Sequence, residues 1–83
     1  MHEIRLEKPA ERFLKKMDTF EQKRIIEKFR KLEQNPELGK PLTGNLRGLW
    51  NLRIGKYRAI YQIKHKELLI LVLDLDHRKR IYG

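Results

Sequence analysis

The sequence contains no cysteine, and this absence excludes several kinds of protein. Without cysteine the chain can form neither a disulfide, nor a thiolate metal site, nor a cysteine nucleophile. The histidines His2, His65 and His77 do not have the spacing of a zinc motif such as HxxxH or HExxH, so we expect no metal and no cofactor. A chain of 83 residues with no covalent brace is predicted to form one small domain, residues 1–83, around one modest core.

Long hydrophobic runs are also missing. The longest, LLILVL at residues 68–73, is six residues long, whereas a membrane-spanning helix needs about 20. The first residues, MHEIRLEKPAERF, are charged from the third position and offer no apolar signal core. We therefore expect a soluble, cytoplasmic protein with no membrane partner.

Acidic residues are scarce, particularly in the second half. Twenty lysines and arginines face eleven acidic residues, which gives a formal net charge of +9. Residues 1–40 carry eleven basic and eight acidic side chains, whereas residues 41–83 carry nine and three. This surplus predicts a polyanionic partner, with nucleic acid favoured over membrane because no amphipathic apolar and aromatic face accompanies it. The alternative is a highly charged surface of the kind found in heat-stable proteins.

The first half predicts one strand and two helices. Residues 2–7 alternate between apolar and charged, and Pro9 fits the first turn of a helix, PAERFLKKM. Thr19-x-x-Gln22 has the pattern of a capping box and opens a second helix, FEQKRIIEKFRKLEQN. Two helices joined this closely predict an antiparallel hairpin. The buried stripe of the second helix is predicted to contain Ile25, Ile26, Phe29 and Leu32.

The second half predicts strands. After NPELGKPLTGNLRG, which is too rich in proline, glycine and asparagine for regular structure, the segments LWNLRI, YRAIYQIK and LLILVLDL have strand composition. KRIYG would add a short final edge. The predicted fold is α+β: an N-terminal strand, a helical hairpin, then an antiparallel meander of three to four strands, with the helices packed on one sheet face. The other face is free to bind a partner.

Gly55 defines a hairpin. In Ile54-Gly55-Lys56-Tyr57 a glycine occupies the first position of a two-residue loop, as a type II′ turn requires. The resulting register opposes Ile54 to Tyr57 and Arg53 to Arg58. Side chains then alternate, so that the helix-facing set is predicted to be Trp50, Leu52, Ile54, Tyr57, Ala59, Tyr61 and Ile63.

Two arginines therefore face each other across the hairpin. The Arg53 and Arg58 pair is a like-charge cross-strand pair, which destabilises a sheet. One interpretation is that both side chains extend into water or pair with Asp74 and Asp76 on the next strand. The other is a guanidinium cluster for phosphate, because each arginine offers a planar fork of donors and stays charged.

The last strand decides which further residue joins this pair. In LDLDHRKRIY, either Arg78 or His77 would lie beside Arg58, according to the length of the turn at KHKEL. An odd-length loop would bring in Arg78, and a bulge near His77 could also exchange the faces. The residue pattern alone leaves both arrangements open.

PLTGNLRGLWNLRIGKYRAIYQI, followed by LILVLDLDHRKRIY, resembles the RelE/ParE toxin superfamily over essentially the whole chain. The likeness is greatest in the L-R-x-G-x-Y-R hairpin and the closing strand, and the basic pattern is most similar to RelE. The resemblance implies a ribosome-dependent mRNA endonuclease of a type II toxin–antitoxin system. It also favours the arrangement with Arg78 beside Arg58.

The resemblance implies a role for each matching residue. Arg58 and Arg78 would stabilise the transition state without a metal, Arg53 would position phosphate, and Tyr82 would stack on a base or protonate the leaving oxygen. The two lysine positions of RelE-like toxins fall on Leu49 and Asn51, which removes the best-placed bases. His77 is the candidate replacement, because histidine transfers protons near neutral pH. The predicted RNA-binding residues are Arg80, Lys56, Lys23, Lys28 and Lys31.

The expected partners are the ribosome, mRNA and an acidic, RelB-like antitoxin in a hetero-oligomer. Two other functions remain open. One is a ParE-like gyrase inhibitor without nuclease activity, and the other is a non-catalytic RNA-binding or ribosome-binding domain.

Overall fold

Two helices pack on one five-stranded mixed sheet in the computed structural model, which describes residues 1–78. The predicted α+β architecture is confirmed. The predicted edge strand KRIYG, with the candidate site residues Arg80 and Tyr82, lies outside the described residues. In chain order the elements are β1 (Glu3–Leu6), α1 (Lys8–Lys16), α2 (Thr19–Gln34), β2 (Lys40–Pro41), β3 (Trp50–Ile54), β4 (Tyr57–Lys64) and β5 (Leu69–His77).

The sheet extends beyond the predicted meander at both edges. The strand order is β1-β5-β4-β3-β2, and β1 runs parallel to β5 while the other neighbours are antiparallel. The meander β3–β4–β5 agrees with the prediction. The prediction that residues 35–48 lack regular structure is wrong, because this segment forms the two-residue strand β2 and two short 3₁₀ turns, Pro36–Leu38 and Gly44–Leu46. A strand this short has no periodicity to detect, and pairing with β3 alone defines it.

Asp18 caps α2, one residue before the predicted cap. Its Oδ1 accepts a hydrogen bond from the Glu21 N–H at 2.9 Å, and the carboxylate also complements the positive end of the helix. The predicted capping box of Thr19 and Gln22 is therefore wrong. The Gln22 amide instead donates from Nε2 to the Leu14 carbonyl at 2.9 Å, which ties α2 to the last turn of α1.

The core lies between the helices and one face of the sheet. From α2 it takes Ile25, Phe29 and Leu32, whereas Ile26, predicted to be buried, is 40% exposed because it lies one residue further around the helix. Among residues 1–78, no helix combines the length and the hydropathy that crossing a membrane would require. The buried sheet residues on the helix-facing side are Leu52, Ile54, Tyr57, Ala59, Tyr61, Ile70, Val72 and Leu75.

The β3–β4 hairpin has the predicted register at every position. Arg53 pairs with Arg58, and the flanking pairs run from Ile54 with Tyr57 to Trp50 with Tyr61. Gly55 has φ of +59°, the left-handed conformation that the first position of a type II′ turn needs and that glycine adopts without strain. The turn chemistry therefore fixes which side chains reach each face.

A β-bulge at Leu73 exchanges the faces of β5. Ile60 pairs with Asp74 but the next residue, Tyr61, pairs with Val72, so Leu73 is an extra residue in β5. The loop that joins β4 to β5 holds four residues, 65–68, and is therefore not of the odd length that would bring in Arg78. The bulge, which lies at Leu73 rather than near His77, instead places Arg78 on the same sheet face as Arg58.

Tyr61 anchors the segment that follows α2. Its side chain is fully buried, and its hydroxyl donates to the Pro36 carbonyl at 2.7 Å and accepts from the Gly39 N–H at 3.0 Å. Gly39 has no space for a side chain, since a Cβ there would come within 2.6 Å of the Asn51 carbonyl oxygen and 2.8 Å of the Tyr61 hydroxyl. This contact holds β2 against β3.

Tyr61 predicts a loss of stability at alkaline pH. Burial raises the pKa of Tyr61 above its usual value, with a smaller rise from Glu37 and a partial offset from the Gly39 N–H. Because the folded state binds this proton more tightly than the unfolded state, the stabilisation is complete below the unfolded pKa of about 10 and falls as pH rises toward the folded value. Urea unfolding between pH 8 and 11 should show this decline. Tyr61→Phe should be less stable at pH 8 and should decline less steeply; an equally steep decline would contradict the prediction.

Candidate nucleic-acid interface

Three arginines meet on the sheet face opposite the core, and we call Arg53, Arg58 and Arg78 the arginine cluster. The register places Arg58 between Arg53 on β3 and Asp76 on β5. Arg78 follows β5 directly, where its backbone N–H donates to the Lys56 carbonyl at 2.9 Å and its Nη1 donates to the Gly55 carbonyl at 3.2 Å. The bulge and the tight turn together bring the third arginine to the first two.

The positive charges of the arginine cluster repel one another. Desolvation lowers the pKa of Arg78 below its usual value, and the positive charges of Arg53 and then Arg58 lower it further. Arginine still remains protonated in proteins, so the site keeps three positive charges at physiological pH. The Nε atom of Arg78 is buried and has no hydrogen-bond partner within the described part of the chain. An anion placed among the three guanidinium groups would reduce their mutual repulsion and could accept a hydrogen bond from the Arg78 Nε–H.

The aspartates beside the cluster each use one carboxylate oxygen in a local backbone contact. Asp74 and Asp76 each use Oδ1 to accept the backbone N–H of the next residue, at 2.9 and 2.7 Å. Ion pairs among residues 1–78 include those of Arg5 with Glu3, Lys15 with Glu11 and Arg24 with Glu21, and none of these three involves Arg53. Arg53 is exposed on β3, so its guanidinium is available to a ligand.

His77 lies on the other face of the sheet. It pairs with Tyr57 across β4 and β5, and its ring lies 5.1 Å from the ring of Tyr57 and 5.8 Å from that of Phe13, measured between centroids. Both partners belong to the helix-facing side. The bulge at Leu73 that delivers Arg78 to the cluster directs His77 away from it. This geometry argues against the interpretation of His77 as a replacement base, and we assign it a packing role.

A cleft of about 300 Å³ adjoins the cluster at the edge of β3. Arg53 and Arg58 form one side, and Asn51, two residues before Arg53 on the same face, forms another. The Oδ1 atom of Asn51 is buried without a hydrogen-bond partner among residues 1–78. The other lining residues are Lys28, Leu38, Gly39, Lys40 and Leu52.

A second cleft, of about 170 Å³, shares Lys28 and Arg53 with the first. It lies between α2 and the end of β3, where β2 no longer covers the strand edge. Arg24, Lys28 and Lys31 have the i, i+4, i+7 spacing that places side chains on one face of a helix, and all three line this cleft. The remaining lining residues are Glu27, Ile54 and Gly55.

The predicted RNA-binding lysines are thus divided among several places. Lys28 and Lys31 line the clefts, whereas the exposed Lys23 lines neither. Lys56 lies at the hairpin turn with its Nζ 5.7 Å from the centroid of the Tyr57 ring. Sequence reasoning missed Arg24 and Lys40. The helical spacing of Arg24 with Lys28 and Lys31 was the signal that could have identified Arg24.

Comparison with known proteins decides the family. Residues 4–82 match the family described as ParE toxin of type II toxin-antitoxin system, parDE, which is nearly the whole chain. The chain belongs to this toxin family. Toxin RelG of Mycobacterium tuberculosis is 38% identical over 55 residues, a match that covers 65% of this toxin and 63% of RelG. The chain therefore matches less than two thirds of the length of RelG.

Solved structures extend the likeness over the full fold. The toxin–antitoxin complex RelBE2 of Mycobacterium tuberculosis contains a chain that is 32% identical, with a TM-score of 0.84, coverage of 93% of this toxin and 98% of that chain. The archaeal RelE-RelB complex of Pyrococcus horikoshii contains one that is 28% identical, with a TM-score of 0.75 and coverage of 95% and 97%. The predicted membership of the RelE/ParE toxin superfamily is confirmed.

The two positions of the absent lysines have different surroundings in this toxin. Asn51 lies on the cluster face and lines the larger cleft together with Arg53 and Arg58. Leu49 precedes β3 and is half-buried, with its backbone N–H donating to the Leu46 carbonyl at 3.0 Å. Asn51 is therefore the position at which the departure from the RelE pattern affects the site directly.

Proposed function

We propose that this toxin is a ribosome-dependent mRNA endonuclease. The observation that carries the proposal is the meeting of three arginines on one sheet face, with an adjoining cleft of about 300 Å³. Phosphate esters are the ligands that such planar donor groups bind best. Inhibition of translation would follow from cleavage of the message.

The proposed reaction is an internal transfer at phosphorus. The ribose 2′ oxygen attacks the adjacent 3′ phosphate, the P–O bond to the next nucleotide breaks, and the products are a cyclic phosphate and a free 5′ hydroxyl. One proton leaves the 2′-OH and one reaches the 5′ oxygen. Arg58 and Arg78 would stabilise the charge that grows on the phosphorane, and Arg53 would position the phosphate. Tyr82 remains the predicted group for base stacking or for protonation of the leaving oxygen.

The proton acceptor is the incomplete part of this mechanism. RelE-like toxins are expected to carry lysines where this toxin has Leu49 and Asn51, and His77 packs on the opposite face. Neither leucine nor asparagine can act as a base. We therefore propose that cleavage here depends chiefly on stabilisation of the phosphorane and is slow unless the ribosome supplies the acceptor.

An acidic antitoxin is the proposed regulator of this surface. One of the similar structures is described as a toxin–antitoxin complex, RelBE2, and another is described as a RelE-RelB complex. The net charge of +9 on this toxin favours an acidic partner, and a segment that covers the arginine cluster would block phosphate binding. We propose a hetero-oligomer of toxin and antitoxin on this basis.

A second candidate function is inhibition of gyrase. The family that matches residues 4–82 carries the description ParE toxin, and the missing lysines weaken the case for nuclease chemistry. A gyrase inhibitor works by binding and needs no catalytic group.

Primer extension on mRNA from cells that express the toxin separates these functions. The nuclease proposal predicts growth arrest together with cuts inside the codons of translated messages, and no cuts when translation initiation is blocked. Intact mRNA with trapped gyrase–DNA complexes would establish the second function instead. Growth arrest with neither effect would leave a non-catalytic ribosome-binding protein and contradict both.

A further inference from the structure

The cations of α2 and β3 form a continuous groove, which we call the α2–β3 groove. It consists of the two adjoining clefts, and beyond the cluster residues Arg53 and Arg58 its positive side chains are Arg24, Lys28, Lys31 and Lys40. We propose that this groove extends the RNA-binding surface from the arginine cluster to α2, where it holds the phosphodiester backbone and adds affinity beyond that of the cluster. The inference rests on the proposed function only in taking RNA as the polymer.

The groove exists because the sheet edge is left open. β2 pairs with Trp50 and Asn51 and then ends, so among residues 1–78 no strand neighbours β3 on that side from Leu52 to Ile54. The α2 cations flank this gap, and the Arg24 guanidinium lies so close to the turn that a Cβ on Gly55 would be 3.0 Å from its Nη2. The glycine thus permits a close approach of α2 to the hairpin.

The cations in the groove are held together without matching acids. Lys28, Lys31 and Lys40 make no ion pair within the described part of the chain, and Arg24 has only an exposed contact of 3.9 Å with Glu21. Glu27 is the one acidic residue among those that line the two clefts. Like charges at i, i+4 destabilise a helix. A bound polyanion would therefore offset the repulsion between Arg24 and Lys28 in α2.

The lining of the groove favours RNA over a protein partner. Protein interfaces bury an apolar and aromatic centre, but the exposed large hydrophobic side chains among residues 1–78 do not line either cleft. They are Met1, Phe20, Ile26, Leu46 and Leu68. A groove lined by more lysines and arginines than apolar side chains is typical of sites that track a nucleic-acid backbone.

The test measures binding in the absence of cleavage. The groove variant Arg24→Gln, Lys28→Gln and Lys31→Gln is compared with a control variant that removes the same charge from α1, Arg12→Gln, Lys15→Gln and Lys16→Gln. The control residues are exposed and line neither cleft. The probes are a fluorescein-labelled single-stranded 12-nucleotide RNA and purified small ribosomal subunits, and thermal unfolding verifies that both variants fold.

The groove variant should bind the RNA about tenfold to a hundredfold more weakly at low salt, and the slope of log Kd against log salt should fall by about 2, because each phosphate contact with a single strand contributes about 0.7. The control should stay close to the wild-type slope. Equal slopes in the two variants would overturn the proposal. So would a groove variant that keeps RNA affinity but loses affinity for a polyglutamate peptide. The binding assay does not depend on RNA cleavage, so its result tests the groove proposal even if the nuclease proposal is wrong.

Discussion

Alanine in place of Arg58 is expected to lower the rate of mRNA cleavage by about a hundredfold to a thousandfold, which is the usual effect of removing one group that stabilises transition-state charge. Arg58 is half-buried at the centre of the arginine cluster, directly opposite Arg53 and one strand away from Asp76. A partly desolvated guanidinium acts on developing charge more strongly than an exposed one. Single-turnover cleavage of a message bound to purified ribosomes is the measurement, and relief of growth arrest is its counterpart in cells.

The control for this experiment is Arg47→Ala. Arg47 is exposed after the second 3₁₀ turn and lines neither cleft, so its replacement removes the same charge without altering the site. Arg58→Lys should recover only part of the rate, because lysine is a point charge and lacks the planar fork of donors. Arg58→Ala should keep a cooperative thermal transition, since it ends the cross-strand repulsion with Arg53. A wild-type rate for Arg58→Ala, or an equal loss for Arg47→Ala, would contradict the role given to Arg58.

The hairpin could be predicted from the sequence because its turn depends only on neighbouring residues. A glycine in a two-residue loop sets the turn type, the turn sets the register, and the period of two then assigns every side chain between Trp50 and Tyr61 to a face. No distant contact is needed for any of these steps. The Arg53 and Arg58 pair followed from this reasoning alone.

The third arginine could not be predicted in the same way. Its side of the sheet depends on an extra residue, Leu73, inside the run LLILVL, where every position is apolar and alternation gives no signal. Apolar runs of this kind hide a bulge, because a slip of one residue still places an apolar side chain on each face. The resemblance to RelE predicted Arg78 beside Arg58, whereas the periodicity of β5 did not choose between Arg78 and His77.

The sheet edges and the groove depended on contacts between distant segments. The parallel pairing of β1 with β5 joins residues 3–6 to residues 69–72, and β2 is a strand only because β3 lies beside it. The α2–β3 groove depends on the second of these pairings, since a short β2 leaves the edge of β3 open to α2. Helical spacing could place Arg24, Lys28 and Lys31 on one face, but it could not show that this face meets Arg53.

Lysine in place of Asn51 is expected to raise the rate of cleavage by about a hundredfold, the lower end of what a well-placed general base contributes. Position 51 lies on the same face of β3 as Arg53 and lines the cleft that also contains Arg58. Two neighbouring guanidinium groups and partial burial would lower the pKa of an introduced amine, so that a larger fraction is neutral and able to accept the 2′-OH proton near pH 7. This substitution would restore the lysine expected in RelE-like toxins at a position that lines the same cleft as Arg53 and Arg58.

The pH dependence separates a base from an added charge. Asn51→Arg adds the same charge with a group that stays protonated, so it should not reproduce the gain, and Gln62→Lys adds an amine on the same sheet face outside the clefts. The rate of Asn51→Lys should rise with pH up to the pKa of the introduced amine and then level off, whereas the wild-type rate should lack this rise. Equal rates for the lysine and arginine variants would show that charge alone acts at position 51, and no gain in either would place the proton acceptor outside this part of the toxin.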